Sequence, residues 1–359
     1  MRSFLSAGAL IAAVAARSLA PYDYDVVTVA PGVFAYVEQK LDGVVSSTVV
    51  AVTGDRATLI FDTGIHPRIS RRIIADLKTR TDKPVRYIVV SHWHDDHWIG
   101  NAEFTEAFPG LQVIAHPFTA RLMNERKDEF SGEPCRTRLE TESKPIRDRL
   151  ASGKQADGTP LTEASISRAR EFLEAIDEQI AQCGEMRFRG VDRTVDRGLT
   201  LDLGGRTVKL MFLGRGNTAG DLVAWLPADK VLLAGDLLVY PFPFATQSYI
   251  TEWARVLRSI DRMDVATIVP GHGKVQQDRR YLRDMAELLE SIGSQGRAAY
   301  RTGMTVEELR ARIDLTELSE RFSHGDAFIK ANFDAMMKGS AIDRLWQELS
   351  GQWKPEGDH

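Results

Sequence analysis

The sequence lacks the features that mark several large classes of protein. Its 46 Lys and Arg residues are outnumbered by 50 Asp and Glu residues, so no basic excess is present to form a nucleic-acid surface. The sequence contains no block of like charges of the kind that forms a solvated tail. Because 43% of the residues are hydrophobic, the composition also excludes a disordered chain. The sequence therefore predicts an ordinary globular protein that does not bind nucleic acid.

An apolar run opens the chain, but it is too short to span a bilayer, which takes about 20 residues. Residues 4–16 follow Arg2, and Ser18-Leu19-Ala20 places small residues at the −3 and −1 positions of a cleavage site. We predict that residues 1–20 are a signal peptide and that the mature protein is periplasmic, with no stable membrane insertion after cleavage. An uncleaved arm or a wrongly assigned start codon is the alternative.

Cysteine is nearly absent. Cys135 and Cys183 lie far apart in sequence, and neither belongs to a Cys-x-x-Cys motif. In an exported protein two such residues can pair into a disulfide. The sequence leaves the other possibility, two unrelated thiols, equally open.

The first part of the mature chain alternates short β-rich runs with turn residues. A helical pattern begins at Pro67 and ends before Pro84. The predicted strands cover residues 26–29, 33–37, 48–52, 57–61, 85–90 and 111–115.

Residues 118–190 are rich in Arg, Glu and Lys, and they predict a helical insertion between two halves of one strand pattern. A helix around Trp253 and a C-terminal helical extension, residues 279–359, follow the second half. We therefore predict one main domain, residues 21–278. Its later strands are expected at residues 187–191, 199–203, 208–213, 222–226, 231–234 and 267–269.

The run His92-Trp93-His94-Asp95-Asp96-His97 directly follows a strand predicted to be buried. Three of the chain's eight histidines occur in these six residues, which disfavours a chance polar turn. Imidazole and carboxylate are the usual ligands of zinc. His92 and His94 project to one side of an extended segment, while Asp96 and His97 face another direction. The loop can therefore serve two neighbouring metal ions.

Two more strand ends carry suitable residues. Asp236 follows the apolar run at 231–234, and His272 follows residues 267–269. Either residue alone would be weak evidence, because an Asp after a strand is usually a turn residue or a helix cap. Together with the His92–His97 run, and in this order, they indicate a metal-dependent hydrolase.

With these motifs, the sequence resembles the metallo-β-lactamase superfamily over residues ~25–275. The resemblance implies a four-layer αβ/βα sandwich of α/β class, with the metal site at one edge of two packed sheets. The carrying motifs are Phe61-Asp62-Thr63-Gly64, the His92–His97 run, Gly214-Arg215-Gly216-Asn217-Thr218, Gly235-Asp236 and Gly271-His272-Gly273.

The resemblance also implies a set of ligands for one or two zinc ions, with Mn²⁺ or Fe²⁺ as alternatives. His92 and His94 would hold the first ion, and Asp96, His97 and His272 the second. Asp236 would bridge the two ions. Asp62, Thr218 and His116 would support these ligands from outside.

Asn217 departs from the family pattern, which usually has histidine at this position. Three possibilities follow: a mononuclear enzyme with its metal at Asp96, His97 and His272, an unequal dinuclear site in which Asn217 ligates, or an inactive site. Retention of the other ligands argues against an inactive site. His66 and His116 are weaker candidates for a replacement ligand.

The ligand set predicts hydrolysis by metal-bound hydroxide, with Asp96 and Asp236 as the catalytic proton acceptors. No Gly-x-Ser-x-Gly elbow offers a serine mechanism. Asp236 makes the chain similar to the thioesterase, lactonase and phosphodiesterase branches, so we expect a small ester, thioester, lactone or related substrate. Alternatives are a β-lactam hydrolase and a non-catalytic metal-binding protein. The aromatic residues Tyr240, Phe242 and Phe244 either line an apolar substrate pocket or pack under the C-terminal helices.

Overall fold

The structure is a computed structural model that describes residues 24–38, 46–154 and 158–353. The predicted signal peptide lies outside the described residues. Two β-sheets form the centre of the molecule, as the α/β sandwich prediction requires.

The first sheet has seven strands in sequence order. The strands are antiparallel from β1 to β4 and parallel from β4 to β7. The parallel part places the ends of β4, β5 and β6 at the same sheet edge. The strands are β1 (Tyr24–Ala30), β2 (Val33–Glu38), β3 (Val49–Thr53), β4 (Thr58–Phe61), β5 (Val85–Val89), β6 (Gln112–Ala115) and β7 (Arg193–Thr194).

The second sheet has five strands in the order β12-β11-β10-β9-β8. Its only parallel pair among the described strands is β11 with β12, which brings their carboxyl ends together. The strands are β8 (Gly198–Asp202), β9 (Thr207–Phe212), β10 (Leu222–Leu226), β11 (Val231–Val239) and β12 (Thr267–His272).

The strand predicted at residues 187–191 is wrong. Arg187 instead pairs with Glu103 (3.1 Å) and Glu106 (2.6 Å), and the Arg189 guanidinium donates to the Gly190 carbonyl. These polar contacts direct the segment toward neighbouring helices. The segment first bonds to β6 at Asp192, whose amide donates to the Val113 carbonyl at 2.9 Å, and the strand itself begins at Arg193.

Alternate residues of each sheet point into different hydrophobic layers. In β4, Ile60 packs toward the outer helices of the first sheet, while Leu59 and Phe61 face the second sheet. In β11, Leu233 faces the first sheet and Leu232 faces the outer helices. This period of two residues produces a helix–sheet–sheet–helix sandwich.

Eleven α-helices lie in the described part of the chain, and none of them is long and apolar enough to cross a membrane. α1 (Pro67–Arg80) begins at Pro67, where the missing amide costs nothing. The others are α2 (Asn101–Ala107), α3 (Pro117–Glu125), α4 (Gly132–Ser152), α5 (Glu163–Gln182), α6 (Ile250–Asp261), α7 (Arg280–Arg301), α8 (Val306–Arg312), α9 (Thr316–Ser323), α10 (Ala327–Ala335) and α11 (Ala341–Ser350).

Cys135 and Cys183 form a disulfide, with their Cα atoms 5.8 Å apart. Cys135 lies in α4, and Cys183 follows α5 directly. The bond therefore joins the two long helices of the 118–190 segment, near the first turn of α4 and the last turn of α5.

Candidate metal centre

The His92–His97 run leaves the carboxyl end of β5 and turns sharply. Asp95–His97 form a 3₁₀ turn in which the His97 amide donates to the His94 carbonyl at 3.1 Å. The turn brings the His97 ring against His92, with the ring centroids 4.0 Å apart. One short loop thereby presents several candidate ligands to a single region.

On one side of this region two carboxylates face two imidazoles. His97 Nε2 lies 3.3 Å from Asp96 Oδ2 and 3.3 Å from Asp236 Oδ1. His272 Nε2 lies 3.0 Å and 3.5 Å from the same two oxygens. We call Asp96, His97 and His272 the carboxylate half of the cluster.

His92, His94 and Asn217 form the other side, here called the amide half. His92 Nε2 lies 2.8 Å from His94 Nδ1 and 3.6 Å from Asp236 Oδ2. The Asn217 side-chain nitrogen lies 3.3 Å from His92 Nε2 and 3.5 Å from Asp236 Oδ2. Asp236 therefore contacts both halves, with one oxygen toward each.

The three loop histidines are each held by a hydrogen bond to their outer ring nitrogen. Such a bond fixes the ring orientation and leaves the other nitrogen for a metal. The bonds are His97 Nδ1 to Asp62 Oδ2 (2.8 Å), His92 Nδ1 to Ser91 Oγ (3.0 Å) and His94 Nε2 to Gln247 Oε1 (2.7 Å).

Several buried polar atoms of the cluster lie close together without hydrogen-bond geometry to any described group. They are Asp96 Oδ2, His97 Nε2, Asn217 Oδ1 and Asp236 Oδ1. Leaving such atoms unsatisfied costs about 1–3 kcal/mol each, and more for charged groups. A cation would satisfy the three acceptor oxygens and would replace the proton on the His97 imidazole, so the residues fit a bound metal.

The two halves carry different charge in the metal-free chain. Burial lowers the pKa of His272, but the negative charges of Asp236 and Asp96 outweigh burial and raise the pKa to about 9. Burial also lowers the pKa of His97, but the neighbouring carboxylates outweigh burial and hold this pKa well above its usual range. In the amide half, burial dominates and lowers the pKa of both His92 and His94.

Asp236 lies inside β11 rather than after it, because the strand continues to Val239. The pairing with β12 shifts register on both sides of Gly235, which has a φ of 52°. A left-handed residue of this kind favours glycine. The irregular pairing directs the Asp236 carboxylate toward the loop histidines.

Gly271 makes the approach of β12 possible. A Cβ atom at this position would lie 2.0 Å from Asp236 Oδ1 and 2.9 Å from the Asp236 amide nitrogen. The first glycine of the Gly-His-Gly motif is therefore needed for steric reasons, in addition to the candidate ligand His272.

The loop that carries Asn217 is built around the buried carboxylate of Asp221. This carboxylate accepts hydrogen bonds from the Gly216 amide (3.1 Å), the Thr218 amide (3.0 Å) and Thr218 Oγ1 (2.7 Å). Burial raises the pKa of Asp221 to about 7, although these bonds oppose the rise. Thr218 thus orders the loop and does not itself reach the cluster through these contacts.

A cavity of about 490 Å³ opens in front of the cluster. Tyr240, Phe242 and Phe244 all line it, and Phe244 lies 6.1 Å from His94 between ring centroids. The opposite wall comes from the segment between β6 and β7, through Phe130, Leu139, Phe172 and Ile176. Phe242 also packs on Phe333 of α10, so the two expected roles of these aromatic residues coexist.

The two other candidate histidines contact residues outside the cluster. His116 caps α3 by accepting from the Phe118 amide (3.2 Å), and its ring stacks on Phe212. The buried His66 ring lies 3.4 Å from Gln182 of α5, and burial lowers its pKa to about 3. Neither residue is in the two groups whose ligand atoms lie within 4.8 Å of one another. Those groups are His92, His97 and Asp236, and Asp96, His97 and His272.

Sequence reasoning missed three residues that hold the side chains of the cluster or the loops that carry them. Ser91 was adjacent to the histidine run, and Asp221 was four residues from Asn217, so proximity was an available signal. Gln247 contacts His94 across 153 positions of sequence, and no local pattern indicated it.

Comparisons with known proteins agree with this arrangement. The family model of the metallo-beta-lactamase superfamily matches residues 42–272. Two curated relatives named metallo-beta-lactamase type 2 match short segments. The protein from Elizabethkingia meningoseptica is 27% identical over 85 residues, covering 22% of this chain and 34% of its own length. The protein from Bacillus cereus is 28% identical over 96 residues, covering 25% and 37%. The chain thus spans about a third of these relatives.

Two solved structures show the likeness in fold. A metallo-beta-lactamase from Pontibacter korlensis has a TM-score of 0.51 at 20% identity, covering 75% of this chain and 99% of that one. A double mutant of the sec-alkyl sulfatase PisA1 has a TM-score of 0.61 at 14% identity, covering 93% of this chain and 51% of that one. The second likeness extends into the C-terminal helices.

Proposed function

The chain belongs to the metallo-beta-lactamase superfamily, and on this premise we propose that it is a zinc-dependent hydrolase of small esters, thioesters or lactones. The observation that carries the proposal is the set of buried, unsatisfied ligand atoms at Asp96, His97, Asn217 and Asp236. A polar cluster of this kind is costly unless it serves a ligand or a reaction.

The carboxylate half would hold one ion, the amide half a second, and Asp236 would contact both. When bound, zinc would act as a Lewis acid and lower the pKa of a water molecule to about 7. Asp96 Oδ2 and the Asp236 carboxylate are the protein groups that would receive the proton of that water. Burial raises their pKa, but the neighbouring imidazoles outweigh burial and hold both carboxyls below their usual range. Both are therefore ionised at neutral pH, as a proton acceptor must be.

The cavity favours a substrate with an apolar body. Its walls are largely aromatic and aliphatic on both sides of the cluster. Two arginines also line it, but each is already paired: Arg126 with Glu129 at 2.8 Å, and Arg138 with Asp95 at 2.9 Å. Because carboxylates already neutralise these guanidinium groups, they would bind a phosphate or sulfate ester only weakly. This supports a neutral substrate.

A second candidate activity is hydrolysis of a β-lactam, because the curated relatives carry that name. A non-catalytic metal-binding protein is the remaining alternative. Export to the periplasm is part of the proposal and is supported by the Cys135–Cys183 disulfide, since such bonds persist in oxidising compartments.

A substrate panel with the zinc-loaded protein tests these alternatives. Aryl esters, thioesters, lactones, bis-aryl phosphates and the chromogenic β-lactam nitrocefin are compared, and we expect turnover of one of the first three classes. Asp236→Ala should reduce that turnover by more than about 100-fold, beyond the effect of losing an outer partner of a ligand. Asp264→Ala, at a side chain that is 69% exposed, is the matched control and should leave turnover unchanged. A fully metal-loaded protein that hydrolyses nothing in the panel would contradict the proposal.

A further inference from the structure

His94 differs from the other loop histidines in the group that holds its outer nitrogen. His97 bonds to a carboxylate of the neighbouring strand end and His92 to the adjacent Ser91, whereas His94 bonds to Gln247 of the segment between β11 and α6. The Gln247 oxygen accepts, so His94 Nε2 carries the proton. His94 Nδ1 then keeps its lone pair and faces His92 Nε2 at 2.8 Å.

The backbone around Gln247 is fixed by α11, near the C-terminus. The buried Arg344 guanidinium donates to the Ser248 carbonyl at 3.0 Å. The Glu348 carboxylate accepts from the Ile250 amide at 2.7 Å and from Thr251 Oγ1 at 2.8 Å. These bonds hold both the residue after Gln247 and the first turn of α6.

A fourth hydrogen bond joins the same segment to the Asn217 loop. The Tyr249 amide donates to the Gly216 carbonyl at 2.8 Å, one residue before Asn217. Gln247 thus lies in a segment that contacts α11 on one side and, on the other, His94 and the loop of Asn217. α11 itself lies outside the residues 42–272 that match the family model.

We propose that Gln247 is a positioning residue that fixes the tautomer of His94, and that α11 sets the metal affinity of the amide half through it. The inference rests on the proposed function, because it takes the cluster to be a metal site. A neutral His94 with Nε2 protonated presents Nδ1 to the ion. Without an acceptor at position 247 the proton can occupy either nitrogen, and the Nδ1-protonated form cannot ligate through Nδ1, the nitrogen that faces His92.

The test compares Gln247→Leu with Gln247→Glu in the full chain. Leucine removes the acceptor at similar volume, while glutamate keeps an acceptor and has no amide donor. Cobalt(II) is titrated into metal-free protein and followed by its visible absorption, which reports ligation without any substrate. We expect Gln247→Leu to weaken the second, weaker cobalt equivalent about 10- to 100-fold and to leave the first nearly unchanged. Gln247→Glu should retain wild-type affinity or exceed it.

Gln276→Leu is the matched control, because this side chain donates to the Lys274 carbonyl within its own loop. Long-range ¹H–¹⁵N NMR of the metal-free protein gives a second readout, the tautomer of His94. We expect protonated Nε2 in the wild type and in Gln247→Glu, and a mixture in Gln247→Leu. Arg344→Met, checked for folding by circular dichroism, should weaken the second equivalent by less than about tenfold.

The outcomes separate the two proposals. A wild-type chain that binds no cobalt overturns the proposed function as well as this inference. A chain that binds a single equivalent, or a Gln247→Leu variant that titrates like the wild type, overturns the role of Gln247 alone. Weakening in Gln247→Leu with none in Arg344→Met overturns the part assigned to α11.

Discussion

The carboxylate half and the amide half of the cluster receive ligands from the same six-residue loop, yet their surroundings differ. The carboxylate half includes Asp96 and is backed by the buried Asp62, and its two imidazoles have a raised pKa. The amide half is backed by neutral partners, Ser91 and Gln247, and its imidazoles have a lowered pKa. Negative charge that attracts protons also attracts a metal ion, so the carboxylate half should bind first.

The largest expected effect compares one histidine from each half. His97→Ala should abolish tight metal binding, because His97 belongs to both groups of converging ligand atoms. His94→Ala should leave about one tightly held equivalent per chain. Metal content after exhaustive dialysis, measured by plasma mass spectrometry on folded protein, checks both variants. Equal metal loss in the two variants would remove the distinction between the halves.

A milder pair makes the same chemical change on each half. Asp62→Asn replaces the carboxyl group that holds His97 by an amide, and Asp221→Asn makes the same replacement in the group that holds the Asn217 loop. We expect Asp62→Asn to weaken the tighter ion about 10- to 100-fold, as loss of an outer partner does. Asp221→Asn should act on the weaker ion instead. Competition with a chromophoric chelator measures the affinities, and the reverse order would assign the tight ion to the amide half.

The smallest expected effect comes from placing a histidine at position 217 of the amide half. Asn217→His adds an imidazole, a better zinc donor than an amide oxygen. The second ion should bind about tenfold more tightly, equal to about 1.4 kcal/mol. Calorimetric titration of zinc checks this, with Asn332→His on the exposed face of α10 as the control. Unchanged binding of the second ion would show that Asn217 already ligates as well as histidine does.

The sequence predicted most of the strands that deliver the cluster, because period-two apolar runs determine which face of each sheet is buried. It also placed the histidine run and His272 at strand ends, where parallel pairing gathers them. The position of Asp236 was less accurate, since a register shift around Gly235 carries β11 past it. Such a shift depends on a neighbouring strand and has no signature in a single segment.

The hydrogen-bond partners of the clustered residues were harder to predict than the residues of the cluster. Gln247 is an ordinary polar residue in a segment rich in aromatic residues, and its role follows from a helix about 100 residues later. The false strand at residues 187–191 has the same origin, because Arg187 is directed by carboxylates of α2. Both cases depend on tertiary contacts that a local pattern does not encode.

The disulfide has a consequence for how this protein can diversify. It ties Cys135 to Cys183, and the Gly132 amide also donates to the Cys183 carbonyl at 2.8 Å. The segment between these cysteines supplies Leu139, Phe172 and Ile176 to the cavity wall, while the proposed metal ligands all lie outside it. A loop with its own ends joined can accumulate substitutions without moving the scaffold that it leaves and re-enters. Natural variation or laboratory recombination that keeps the Arg138–Asp95 ion pair (2.9 Å) can therefore exchange this wall as a unit and change which molecules enter.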